Sequence, residues 1–410
     1  MGLDELYKLS RHYLTIKYKP YHRNCVDESY FKHRLSVLIG QRGVGKTTVL
    51  IQYLLDYAKN DAFNSRILYI PSDHFLLGNL SLYEIAEQFS LFGGELLVFD
   101  EIHKYIPWVK ELKSIYDTFP NLKVIASGSS ALEIRKGSYD LTRRAAVSYL
   151  PGLSFREYLG LHWQLSLPPY HLEDIINHHE KIVQEVLSIL GAQGKKVLYE
   201  FNRYLRIGYY PYFLEIHDPN IYFLTLEQNF HAILEADLTA IHPLLTSSSI
   251  RKMKKLLVFI AANVPFTPNM SKLSNLLDIG DERTLKTYFK YLEDVELIRL
   301  APGSSKKLHK IEIPEKIYLN NTNQMYAIAN MQNIGTIREI FFLSMLAKKH
   351  EVTVPKYGDF LINDNFTFEI GGKNKNFEQI KNISNAYLAC DGIEYGINQT
   401  IPLWLFGFLY

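Results

Sequence analysis

The chain has 410 residues, 47% hydrophobic and 13% aromatic, which suits two or three domains with buried cores and argues against disorder. Its 45 basic and 43 acidic residues leave a formal net charge of +2, so any nucleic-acid affinity must come from a local patch. Cys25 and Cys390 are the only cysteines, which argues against a disulfide framework or cysteine zinc site and fits reduced thiols in cytoplasm.

At the N-terminus, Met1-Gly2-Leu3-Asp4-Glu5-Leu6 lacks the secretory pattern, and Leu6 breaks the myristoylation motif. No apolar run approaches the ~20 residues of a membrane span. The expectation is a cytoplasmic chain with no membrane partner. Leu35-Ser36-Val37-Leu38-Ile39 reads as a buried strand, and Thr48 to Leu55 has helical apolar spacing. Between them, Gly40-Gln41-Arg42-Gly43-Val44-Gly45-Lys46-Thr47 matches GxxxxGK[ST]. Strand, glycine loop and helix set backbone N–H groups and a helix N-terminus against one anion, the cradle of a nucleoside triphosphate. Lys46 is expected to reach the β- and γ-phosphates, the Thr47 hydroxyl to ligate Mg²⁺, and Thr48 to border the same cradle.

Arg66 to Ile70 supplies another strand. Leu96-Leu97-Val98-Phe99 reads as a third, with Asp100-Glu101 at its carboxyl end, where open α/β sheets bind ligands. Asp100 is expected to hold Mg²⁺ through its water shell and Glu101 to polarise the attacking water. The alternative is an acidic cap for a helix beginning near Tyr105. Leu122 to Ala126 forms the next strand, ending in Ser127-Gly128-Ser129-Ser130. Ser127 and Ser129 both fit a contact to the γ-phosphate or the water. A plain serine cap for a short helix, Ala131 to Ile134, is the alternative. Arg143-Arg144 precedes the β-like run Ala145 to Leu150. An arginine there, from this subunit or a neighbour in a homo-oligomer, would neutralise transition-state charge; an ordinary surface pair is the alternative.

From about Leu161 to Ser248 the periodicity is helical, interrupted at Gly208-Tyr209-Tyr210-Pro211. His178-His179 lacks metal-ligand partners and reads as ordinary. Between Ser249 and Leu319 the pattern fits a winged helix. Ser271 to Leu277 is one helix, stopped by Gly280, and Glu282 to Glu293 a second, with Leu285, Phe289 and Leu292 on its apolar face. Arg283, Lys286 and Lys290 recur on the opposite face, and Lys306, Lys307 and Lys310 cluster where a wing would lie. A basic helix beside a basic wing suits phosphate contacts on duplex DNA. Asp281, Glu282, Glu293 and Asp294 weaken that reading, and a charged face on a protein-packing module is the alternative.

Several of these residues carry a family likeness. Asp100-Glu101-Ile102-His103-Lys104, Ser127-Gly128-Ser129-Ser130, Asp140-Leu141-Thr142-Arg143-Arg144-Ala145 and Leu153-Ser154-Phe155-Arg156-Glu157-Tyr158-Leu159 occur in a familiar order. With Phe368-Glu369-Ile370-Gly371-Gly372-Lys373-Asn374-Lys375 and Pro402-Leu403-Trp404-Leu405-Phe406-Gly407-Phe408, the chain resembles prokaryotic AAA-type P-loop ATPases with a C-terminal restriction-endonuclease-like (PD-(D/E)XK-like) domain. Many relatives have Gly-Arg where this chain has Arg143-Arg144, so the choice between the two arginines stays open. The preference for ATP is implied by this resemblance.

Endonuclease-like folds take metal ligands from a helix, then an Asp, then Glu-x-Lys on the next strand. The matching residues are Glu339 on a helix, Asp359, and Glu369, but Gly371 occupies the lysine position. Lys373 would face the same way as Glu369 only if the strand stays extended through Gly371-Gly372. Lys375 and Gln379 are expected near the start of the next helix. A relic without catalysis is the alternative.

The expected fold class is α/β. A P-loop AAA-type parallel sheet domain spans 1–160, a helical lid or connector 161–248, a winged helix 249–330, and an α+β restriction-endonuclease-like domain 331–410. The expected activity is Mg²⁺-dependent ATP hydrolysis coupled to the nuclease-like module. The alternatives are a slow nucleotide-gated switch acting on a protein partner and an ATP-regulated DNA nuclease. A helicase reading, prompted by Asp100-Glu101-Ile102-His103, lacks a second RecA-like half.

Overall fold

The structure, a computed structural model, describes residues 2–78, 80–128, 141, 143–304, 314–329 and 333–410. Two compact units divide the chain: residues 1–151 with 232–244, and residues 152–231 with 245–410.

The first unit is built on five parallel strands: β1 (Leu35–Ile39), β2 (Ile67–Pro71), β3 (Leu96–Asp100), β4 (Lys123–Gly128) and β5 (Ala145–Tyr149). Their order is β2-β3-β4-β1-β5, and every pairing is parallel. Every residue of β1, β2 and β3 is buried, as expected where crossover helices cover both faces of a parallel sheet. The connecting helices are α2 (Lys46–Tyr57), α3 (Leu82–Leu91) and α4 (Trp108–Thr118). Leu35, Val37, Leu68, Ile70, Leu97, Phe99, Leu112 and Trp108 share one apolar core. An additional helix, α1 (Leu3–Ile16), closes the sheet edge: the Tyr69 amide donates to Ser10 Oγ at 2.9 Å.

Two local expectations change. The helix placed near Tyr105 starts at Trp108, because Ile102–Lys104 closes as a 3₁₀ turn and Pro107 supplies the cap. The fourth strand runs through Ser127, so that serine lies inside the sheet. Ser129 and the helix expected from Ala131 to Ile134 lie outside the described residues.

In the second unit, α5 (Phe155–Trp163), α6 (Leu172–Ala192) and α7 (Val197–Ile207) precede α8 (Pro219–Ala232). The break at Gly208 is real: α7 ends there. A five-residue π-helical turn, Ile233–Asp237, and α9 (Leu238–Ile241) then belong to the first unit. Next come α10 (Ser247–Asn263), α11 (Met270–Leu276) and α12 (Glu282–Asp294). An antiparallel pair follows, β6 (Ile298–Ala301) with β7 (Lys316–Leu319). Leu285, Phe289 and Leu292 are buried as their spacing required. Lys306, Lys307 and Lys310 lie outside the described residues.

The C-terminal part contains α13 (Thr322–Ile328), α14 (Ile334–Leu346) and a mixed sheet. Its strands are β8 (Val352–Thr353), β9 (Phe360–Ile362), β10 (Phe366–Gly372), β11 (Ala386–Asp391) and β12 (Thr400–Pro402), ordered β12-β11-β10-β9-β8. The helix expected around Gln379 is absent: residues 373–385 are turns. The resemblance motif Leu153 to Leu159 makes structural contacts. Ser154 Oγ and Arg156 Nε both donate to the Tyr410 carbonyl, at 2.7 and 2.8 Å, with Ser154 also capping α5. A buried Asn323 likewise ties α13 to α7 through the Tyr204 and Leu205 carbonyls.

Candidate functional site

The phosphate-loop residues sit at the carboxyl edge of the first sheet. Gly43 and Gly45 have φ of 87° and 97°, a region costly to any residue with a Cβ. Gly45 ends the loop and α2 begins at Lys46 without a side-chain cap, leaving its first amides for an anion. Lys46, 5% exposed, donates Nζ to the Gly40 carbonyl at 2.8 Å and the Gln41 carbonyl at 3.0 Å. Arg23, which the sequence reading did not single out, supports the loop from behind. Its guanidinium donates to the Val44 carbonyl at 3.0 Å and the Pro151 carbonyl at 3.1 Å.

β3 brings Asp100 against this loop. Thr47 Oγ1 donates to Asp100 Oδ2 at 2.6 Å, and Tyr69 Oη donates to the same oxygen at 2.6 Å. Burial, then the Asp100 charge, pushes the Tyr69 hydroxyl well up, so it remains a donor. Ser127 Oγ donates to Asp100 Oδ1 and accepts the Glu101 amide at 3.2 Å. Its hydroxyl is therefore engaged in ordering the acidic pair. A carboxylate and a hydroxyl side by side are hard oxygen donors, a set that fits Mg²⁺.

Glu101 has left-handed backbone, φ 53°, which turns its side chain away from the strand axis. Glu101 Oε2 lies 3.5 Å from Lys104 Nζ and 3.8 Å from His103 Nε2. Arg42 Nη1 lies 3.2 Å from Asp237 Oδ1 in the π-helical turn.

The structure places Arg143 and Arg144 far from this cluster. Both precede β5, and Ala145 is in register with Leu35, the first residue of β1. Arg144 donates Nε to Asp117 at 2.8 Å, near the end of α4, and lowers that carboxyl's pKa. Arg34, just before β1, donates to the Tyr116 and Phe119 carbonyls of the same corner. The pair thus occupies the amino edge of the sheet, separated from the loop by five strand residues, roughly 16 Å. Neither arginine meets its own phosphate loop.

A second polar cluster lies in the second unit. Tyr318 Oη donates to Glu339 Oε2 at 2.6 Å, and Lys316 Nζ lies 3.7 Å from Glu339 and 3.8 Å from Asp359. Asp359 Oδ2 accepts the Ile370 amide at 2.8 Å. Glu369 is 2% exposed and paired with Lys375. Oriented to donate, the Gln379 amide lies 2.7 and 3.2 Å from the two Glu369 oxygens. Burial raises the Glu339 and Glu369 carboxyls, and Asp359 adds like-charge repulsion to both. Lys373 is exposed in the turn after β10 and does not join. A Cβ on Gly371 would fall 2.5 Å from the Lys375 side chain, which occupies that space. Among the described residues, no three His, Cys, Asp or Glu side chains are disposed to hold a metal ion.

On α12, Arg283 is exposed, whereas Lys290 Nζ lies 2.8 Å from Asp294 and 3.5 Å from Glu293. Among the described residues, no helix is long and apolar enough to cross a membrane.

Comparison with known proteins agrees with the first unit's sheet. Residues 32–159 match an AAA domain, and residues 198–334 match a domain of unknown function (DUF8612). The uncharacterized protein MJ1637 of Methanocaldococcus jannaschii is 30% identical over 398 residues, covering 89% of this chain and 81% of the relative. Among solved structures, the replication initiator DnaA bound to AMPPCP and single-stranded DNA is 14% identical, covering 76% of this chain and 91% of that one, with a TM-score of 0.26. PCH-2 of C. elegans is 16% identical over 39% of this chain and 45% of that one, at 0.24.

Proposed function

The chain belongs to the family of MJ1637 and matches an AAA domain over residues 32–159, and from that premise we propose that it is a Mg²⁺-dependent ATPase. The observation that carries this reading is the 2.6 Å hydrogen bond from Thr47 to Asp100, which brings the loop hydroxyl and the strand-end carboxylate to one point. Thr47 and Asp100 would hold Mg²⁺, which when bound neutralises phosphate charge. Gly40, Gln41, Arg42, Gly43, Val44, Gly45 and Thr48 frame the triphosphate through loop and helix-start amides. Lys46 exchanges its carbonyl partners for the β- and γ-phosphates, and Glu101 polarises the attacking water. Arg143 or Arg144 reaches the site of a neighbouring copy, a role supported by their location at the opposite edge of their own sheet. Loss of nucleotide binding in Lys46→Ala, measured with a fluorescent ATP analogue, is the expected result; wild-type affinity in that variant would remove the phosphate-loop reading.

The second unit supports a further role. In this reading α10, α11, α12 and the β6–β7 pair act as a winged helix that offers exposed Arg283 and half-buried Lys286 to duplex DNA or a protein partner, a role supported by their order along the chain. Lys290 is spent on Asp294. The α14 and β8–β12 module is endonuclease-like in arrangement and does not cleave. Supporting this is Lys375, which fills the space above Gly371 and neutralises Glu369. Metal-dependent nicking of duplex DNA that disappears in Glu369→Ala would reverse this part of the reading.

A further inference from the structure

The π-helical turn that returns to the first unit brings a buried carboxylate to the back of the candidate ATPase site. Asp237 is 3% exposed and lies between two elements of that site. On one side is Arg42 of the phosphate loop, with Nη1 3.2 Å from Oδ1 and 3.5 Å from Oδ2. On the other is His103, whose ring is fully buried and whose Nε2 lies 4.0 Å from the same Oδ1. That Nε2 is also 3.8 Å from Glu101 Oε2. Both His103 distances exceed a direct hydrogen bond, so the ring is wedged beside both carboxylates as a packing neighbour. α9 packs on the 3₁₀ turn that carries His103, which fixes the relation between turn and segment.

Local physics makes this arrangement unusual for a structural contact. A carboxylate this buried is costly unless paired, and the Arg42 partner comes from the loop that is expected to rearrange around a nucleotide. A π-turn inserted between two α-helical stretches has poorer hydrogen bonding than either, and such insertions gather at functional sites. Here it ends on Asp237. Glu101 adds a second irregularity, its left-handed backbone, which directs its carboxylate toward His103 and Lys104. Lys104 is in turn anchored to Asp73 at 2.6 Å.

We propose that Asp237 is a positioning residue for the hydrolytic step: through Arg42 and His103 it couples the phosphate loop to the orientation of Glu101. This rests on the ATPase reading above and deepens it. Residues 232–244 are peptide-bonded at both ends to residues of the second unit.

The test separates binding from turnover in the full-length protein. Phosphate release and the ATP Kd are measured for wild type, Asp237→Asn, His103→Gln, and the double variant, with thermal melting as the folding control. Each single variant is expected to lower kcat about tenfold while leaving Kd within about threefold. The double variant is expected to lose no more than either single, because both act through one link. Should Asp237→Asn fail to fold, Arg42→Ala breaks the same link from a side chain that is 35% exposed and is expected to show the same kcat-selective loss. Equal effects on Kd and kcat, multiplicative losses in the double variant, or wild-type turnover in Asp237→Asn would each overturn the coupling. Absence of Mg²⁺-dependent phosphate release from ATP in wild type would instead overturn the ATPase reading on which it rests.

Discussion

Replacing Ser127 with alanine removes one hydroxyl from a site with no solvent access, at the junction of β3 and β4. That hydroxyl donates to Asp100 Oδ1 and accepts the Glu101 amide. Asp100 keeps two donors on its other oxygen, Thr47 and Tyr69, so the carboxylate is not orphaned. The Glu101 amide keeps Asp100 Oδ1 at 3.1 Å. The loss should therefore fall at the lower end for a buried hydrogen bond to a charged group, about 1.5–2 kcal/mol. For a unit of this size that lowers the melting temperature by roughly 3–8 °C. Turnover should suffer more than binding, because the two bonds fix the direction of Asp100 and Glu101 relative to each other. The assay is thermal melting combined with phosphate release and separate Kd values for ATP and ADP. An ordering role gives a kcat loss of about tenfold with both Kd values little changed. A selective rise in the ATP Kd alone would refute it and return Ser127 to the role of a γ-phosphate contact. Unchanged melting and turnover would refute both.

Protomers carrying Glu101→Gln, mixed with protomers carrying Arg143→Ala and Arg144→Ala, should recover part of the phosphate release that each lacks alone; no recovery at any mixing ratio contradicts an arginine acting between subunits. Lys375→Met leaves Glu369 buried with Gln379 and the more distant Lys316 charge, and should cost about 2–4 kcal/mol in urea unfolding, with much of the loss restored by adding Glu369→Gln. Additive losses in the double variant would show that the two side chains are not coupled. Burial, reinforced by Arg203 and Lys195, lowers the His162 pKa to about 4 from its usual 6.5. The folded state then binds fewer protons than the unfolded chain between those values, so His162 contributes stability present above pH 6.5 and lost as pH falls toward 4. Partial exposure limits this to about 1–2 kcal/mol. The stability gap between wild type and His162→Gln should close over that window, and a gap constant from pH 7 to 4.5 would contradict it.

The phosphate loop and its acidic partner were legible in sequence because local pattern and long-range pairing agree there. A five-residue apolar run reads as a buried parallel strand, and GxxxxGK[ST] admits few other backbones. The supporting groups were hidden for the opposite reason. Arg23, Tyr69, His103 and Asp237 come from separate parts of the chain, and no spacing rule connects a π-turn past residue 230 to the loop at 42. The arginine question turned on strand direction. Sequence left Arg143 and Arg144 able to reach either subunit's site, whereas parallel pairing of β1 and β5 puts them at the amino edge. In the C-terminal module, Glu339, Asp359 and Glu369 were found by motif order. The Gly-Gly pair after Glu369 misdirected the choice of lysine, because the chain turns at Lys373 and returns Lys375 over Gly371. Asn320 to Gln324 match no motif, yet these polar residues are buried and bind backbone on α7 and beyond.

The most direct test of the central claim is Mg²⁺-dependent phosphate release from ATP by wild type and Glu101→Gln, side by side, with and without duplex DNA. Turnover in wild type that requires Mg²⁺ and vanishes in Glu101→Gln, while that variant still binds ATP, is the expected result. Equal release by the two proteins would contradict an ATPase built on Thr47, Asp100 and Glu101.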